Sequence, residues 1–224
     1  MNNEKKPSDT ELLKTIEWRL EETIAAFTVQ LIISENCNKN PALHKVINDW
    51  NGFWKPISIG LETTIIIGII AIIETGSNNA TLLQVYNNLK KNGKLSPSFP
   101  QNFDNDLNTI SKRYVKFRNK IFGHNDTKRD GFVNEFSNAG FTYETIGQDL
   151  NALKYALKVL SHANGGGTIP DKNSAKNMFN FSDLYIAHTK EHCSGFLAKL
   201  AAVAPDFLND TKNSNSNFLQ WLLQ

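Results

Sequence analysis

Apolar residues recur along this chain at steps of three and four, the spacing that places them on one face of a helix. Leu13, Ile16, Leu20, Ile24, Phe27 and Leu31 make one such stripe over about six turns. Ser8 with Glu11 three positions on is a capping box behind Pro7, and it marks the start of that helix. The stretch NCNKNP predicts its end at residues 36–40, with a shorter helix at 42–50. Residues 56–75 are apolar nearly all round. Their isoleucines would suit a buried strand, but a length of about 20 residues favours a central helix. Asn79 is expected to cap the next helix, which turns Leu82, Leu83, Val85, Tyr86 and Leu89 inward and stops at Gly93. SPSFP reads as a rigid loop. Leu107, Ile110, Tyr114, Phe117 and Ile121 then define an amphipathic helix halted at Gly123.

Residues 131–144 lack helical period and suit a loop or small hairpin. Thr145 opens a further helix with Ile146, Leu150, Leu153, Leu157 and Leu160 inside, closed by the glycines at 165–167. A last long helix is expected from Ser182 or Asp183 to Ala204, ended by Pro205. The pattern therefore predicts an all-α fold, an up-and-down helical bundle with an extra long C-terminal helix. Three stretches are expected: a helical domain at 9–162, a glycine-rich loop and packed helix at 163–208, and at 209–224 a linker with a short apolar helix, FLQWLLQ.

Composition narrows the class. Of 224 residues 40% are hydrophobic, enough for a sizeable core and too many for a disordered chain. Twenty-four Lys and Arg against 22 Asp and Glu leave +2, which excludes a histone-like protein but not a local basic patch. Two distant cysteines, Cys37 and Cys193, suit a reducing compartment. The longest apolar run, 65–73, is short of the roughly 20 residues that span a bilayer, and nothing near Met1 reads as a signal peptide. A cytoplasmic chain with no membrane partner is the expectation.

The most informative segment is RNKIFGHND, residues 118–126. Arg118 lies near the end of an amphipathic helix, and Gly123 permits the turn after which His124 folds back toward it. In an unbroken helix the two would stand about 120° apart. The helix's negative end and Asp126 both favour a charged imidazole. An Arg fork for phosphate beside a proton-transferring histidine is the minimum needed to cleave RNA without a metal. Between residues 112 and 129 stand Lys112, Arg113, Lys116, Arg118, Lys120, Lys128 and Arg129 against the single acid Asp126. A nearly neutral chain thus gathers its positive charge around this motif, as an RNA ligand requires.

RNKIFGHND resembles the signature of HEPN domains, an Arg and a polar residue followed by His, and its spelling is similar to the AbiU-type abortive-infection subgroup. The resemblance extends over about residues 9–162, through LLQVYNNL and FTYETIGQDLNALKYAL. It implies a helical bundle that dimerises with its motifs facing, endoribonuclease activity without a cofactor, and use in phage defence or toxin–antitoxin systems. By position, Arg118 would stabilise the phosphorane, His124 would be general base or acid, and Asn119 would orient one of them. Lys112, Arg113, Lys116, Lys120 and Lys128 would bind RNA, with Asp126 in support. Subgroups regulated by a nucleotidyltransferase antitoxin carry Tyr where this chain has Asp126. The expected partners are RNA, a second copy of the chain, and a cognate antitoxin or defence protein.

Other constellations are weaker. His188-Thr189-Lys190-Glu191-His192 matches an inverted zinc-protease spelling, yet only Asp206 and Asp210 follow as carboxylates. His44 and His162 stand alone, and Gly165 to Gly167 precede no Gly-Lys-Ser/Thr. The competing reading of the whole is a non-catalytic helical module that binds nucleic acid or a protein through the same basic patch.

Overall fold

The structure is a computed structural model that describes residues 6–74, 80–121, 140–167 and 180–209, with backbone alone at 120, 121, 180–186, 188 and 203–209. Among the described residues there are seven helices and no strand. They are α1 (Asp9–Lys39), α2 (Pro41–Asp49), α3 (Asn51–Ile73), α4 (Leu82–Lys91), α5 (Phe103–Ile121), α6 (Tyr143–Gly165) and α7 (Asn180–Asn209). The all-α expectation holds.

Local chemistry accounts for most helix ends. At α1 the Glu11 carboxylate accepts from the Ser8 N–H at 2.7 Å, while the Ser8 hydroxyl accepts from the Glu11 N–H at 3.3 Å. The Asn40 side chain caps α2 by accepting from Leu43 N–H at 3.0 Å. Thr81 caps α4 through Gln84 N–H at 3.2 Å. The expected cap Asn79 lies outside the described residues. After α4, Gly93 takes φ +65°, and the Lys94 N–H reaches Leu89 O at 3.0 Å, a glycine-closed end that satisfies late carbonyls. Helix α6 begins two residues before Thr145, because Thr142 is its cap and Thr145 is the reciprocal third-position partner.

Two prolines correct the expected boundaries. Helix α3 starts at Asn51 and carries Pro56 inside it, and α7 runs past Pro205 to Asn209. A proline removes one backbone hydrogen bond and crowds one carbonyl, and a helix of 23 or 30 residues absorbs that local loss.

The chain forms two compact units, residues 1–24 with 63–183, and 25–62 with 184–224. In the first, α4, α5 and α6 pack on one another. Its core holds Ile16, Leu20, Leu82, Val85, Leu89, Tyr114, Phe117, Leu153 and Leu157, with Ile65, Ile66, Ile69, Ile70, Ile72 and Ile73 of α3 all buried. Gly68 lies against Thr23 so closely that a Cβ there would collide with the Thr23 hydroxyl oxygen and crowd its Cβ and Cγ2 at 3.1 Å. Tyr86, Phe99 and Phe103 form an aromatic cluster with centroids 5.1–5.7 Å apart, anchoring the 94–102 loop. Trp18 projects from α1 of this unit, 58% exposed.

The second unit has its own core of Ile32, Leu43, Val46, Trp54, Leu197 and Leu200, flanked by Trp50, Cys37 and Cys193. Both cysteines are free, and burial pushes both thiols up from their ordinary value, which keeps them protonated and slow to react. Here the Gln30 amide donates to Ser58 at 2.9 Å and to Glu62 at 3.3 Å, and burial pushes the Glu62 carboxyl up.

By length and composition α3 is the one described helix able to cross a membrane. The nine-residue run alone understated it, since the helix adds Phe53, Trp54 and Ile57 ahead of Ile65. A core helix passes the same test, and six of the seven isoleucines of its C-terminal half are buried within the first unit, while Ile67 is 40% exposed. The segments 131–139 and FLQWLLQ lie outside the described residues.

Candidate functional site

Helix α5 builds the described part of the site. Its inner face, Leu107, Ile110, Tyr114 and Phe117, is buried, and the rings of Tyr114 and Phe117 meet Phe141 at 4.8 and 5.1 Å between centroids. That anchorage fixes the helix's rotation and turns positions 112, 115, 116 and 119 to the other side, since steps of three and four share a face. Lys112, Lys116 and Asn119 are exposed there, and with Glu74, Ser111 and Val115 they line an open cleft of about 520 Å³. Lys112 and Lys116 make no ion pair among the described residues.

Arg118 borders this cleft, half-buried. Its Nε and Nη2 donate to the Asn119 Oδ1 at 3.2 and 3.0 Å, and its Nη1 donates to the Glu74 carboxylate. Two neighbours thus hold the guanidinium in one orientation. Arg113 points elsewhere. It is ion-paired with Asp149 of α6 at 2.6 Å, and the same carboxylate oxygen accepts from the Tyr114 hydroxyl at 3.0 Å. Burial, together with the charge of Asp149, pushes the Tyr114 phenol far above its ordinary range, so it stays a donor. Burial also pushes the Asp149 carboxyl up, against the opposing pull of the Tyr114 hydrogen bond and the Arg113 charge.

The structure therefore brings together Arg118, Asn119, Lys112 and Lys116, and it ties Arg113 to a buried carboxylate. Lys120 is described only by its backbone within α5, and His124, Asp126, Lys128 and Arg129 lie outside the described residues. Two site residues escaped the sequence reading, Glu74 and Asp149, which meet their arginines across 44 and 36 positions of chain. Glu74 did carry a signal: a carboxylate just after an apolar helix opposes the helix dipole and calls for a cation. Asp149 carried one too, as an acid among the inward positions of α6. No group of three His, Cys, Asp or Glu suited to a metal comes together among the described residues.

Helix α5 thus carries the first residues of RNKIFGHND, with Arg118 held beside a cleft lined by Lys112 and Lys116. The family model for AbiU2, a HEPN type, matches residues 11–181, and the chain belongs to that family of abortive-infection HEPN proteins. No curated protein and no solved structure matches the chain.

Proposed function

We propose that this protein is a metal-independent endoribonuclease of antiphage defence, acting as an abortive-infection or toxin effector in the cytoplasm. The observation that carries this is the arginine at the end of α5, oriented by Asn119 beside a cleft with two lysines that make no ion pair among the described residues. RNA phosphates are the natural ligand of that combination. In the proposed step the RNA 2′-oxygen bonds to the adjacent phosphorus as its proton passes to one His124. The bond to the 5′-oxygen breaks, and that oxygen takes a proton from a second histidine. Arg118 stabilises the charge that builds on the non-bridging oxygens. The products are a cyclic phosphate and a free 5′-hydroxyl. One motif supplies one proton-transfer group, so the reaction calls for a homodimer with two copies of His124. A cognate antitoxin or defence protein would control the activity.

RNA incubated with the protein in EDTA tests the reading. Cleavage to cyclic-phosphate ends is expected, with a loss of about a hundredfold or more in Arg118→Ala and in His124→Ala. Full activity of His124→Ala overturns the catalytic assignment. A gel shift without any cleavage supports the competing reading, a helical module that binds nucleic acid through Lys112 and Lys116 without acting on it.

A further inference from the structure

Under the reading above, Arg118 is where a phosphate sits, yet its guanidinium already holds an anion. Glu74 directly follows α3, and its N–H still bonds to Ile70 O at 2.8 Å, so the carboxylate stands at the helix end where exposed carbonyls disfavour it. The pairing with Arg118 offsets that. Among the described residues Glu74 is also the only acid lining a cleft whose charged members are otherwise Lys112 and Lys116. A carboxylate and a phosphate present the same oxygens to a guanidinium, so either one fits the place. The side chains of Arg118 and Glu74 are 29% and 33% exposed, so solvent reaches the pair and a ligand can compete for it.

We propose that Glu74 is an internal competitor for phosphate: it occupies Arg118 in the free protein and gives way when an RNA phosphate enters from the Lys112–Lys116 side. The proposal rests on the RNA-binding reading of this site and adds to it a carboxylate that sets affinity. Asn119 keeps the guanidinium in place during the exchange, through its contacts to Nε and Nη2.

The test is a set of titrations on the full chain with 2′-O-methyl RNA, which binds but cannot be cleaved. The proteins are wild type, Glu74→Gln, Glu74→Asp, Arg118→Ala, and Glu74→Gln combined with Arg118→Ala. Glu74→Asp keeps the charge and draws it back by one methylene, so it separates the contact from the general field. Both Glu74 variants are expected to bind about two- to fivefold tighter than wild type, the scale of a partly exposed ion pair. In the Arg118→Ala background Glu74→Gln is expected to change nothing. An equal gain in that background, a gain in Glu74→Gln without one in Glu74→Asp, or weaker binding by Glu74→Gln each overturns the proposal. Should wild type and Arg118→Ala bind RNA alike, the ribonuclease reading loses its phosphate site. Inorganic phosphate then decides the role of Glu74, read on the Arg118 Nε–H resonance that Arg118→Ala deletes. A response at lower phosphate in Glu74→Gln supports the competitor, and an unchanged response overturns it.

Discussion

Arg113 and Arg118 sit five positions apart on one helix and have become different residues through their partners. The Arg113 pair is nearly enclosed: the Asp149 side chain is 10% exposed and also carries the Tyr114 hydroxyl. Removing that carboxylate strands a buried phenol and a half-buried cation, so Asp149→Ala is expected to cost about 3 kcal/mol, read by urea unfolding. Tyr114→Phe deletes one hydrogen bond and is expected to cost about 1 kcal/mol. Its pH signature has a definite sign. The folded phenol titrates above its unfolded value of about 10, so its contribution is complete below that pH and is lost as pH rises beyond it. The wild-type melting temperature should therefore fall more steeply above about pH 10 than that of Tyr114→Phe. Equal slopes would show that the phenol titrates freely in the folded protein. At this scale the sequence revealed residue types but not their partners. It counted Arg113 with the RNA-facing cations, because local spacing carries no trace of a carboxylate 36 positions away.

Elements were far more legible, since helix stripes and caps are written within a few residues. Ser8 and Glu11 marked the start of α1, and the stripe of α5 marked its buried face. What failed were the start placed at Pro56 and the stop placed at Pro205, because a proline's penalty is local while a long helix gathers its stability along its length. The buried face of α1 also changes: Leu13, Ile16 and Leu20 are buried, but farther on the buried positions are Thr23, Ala25, Ala26, Thr28, Gln30 and Ile32 rather than Ile24, Phe27 and Leu31. A single period cannot anticipate a helix shared by two cores. Close packing yields a sharp prediction at Gly68. Gly68→Ala drives a methyl into Thr23 and should destabilise by about 1–3 kcal/mol, although alanine is the better helix former. A stabilised variant would show that α1 and α3 stand farther apart there. Thr81→Ala should cost about 1 kcal/mol through the lost cap of α4.

For the whole molecule, the proposed reaction calls for two copies of His124, and light scattering at micromolar concentration is expected to give a homodimer. A monomer there argues against paired motifs. Mixing Arg118→Ala with His124→Ala subunits is expected to restore part of the cleavage, because a heterodimer regains one intact motif. Affinity for RNA should fall as salt rises, and the double change of Lys112 and Lys116 to Ala should flatten that slope by about two.

The aromatic residues are distributed so that each unit carries its own optical reporter. Trp54 is buried in the second unit with Trp50 beside the same core, while Trp18 of the first unit is already in solvent and has little emission shift left to give. With Trp221→Phe removing the fourth indole, a red shift in emission during unfolding reports on the second unit. The buried Tyr86 and Tyr114 report on the first through their near-ultraviolet absorbance. Superimposed transitions would mean that the two units melt as one cooperative body. Separated transitions would resolve them within the intact chain, which no single truncation can do, since each unit is assembled from two separate stretches of sequence.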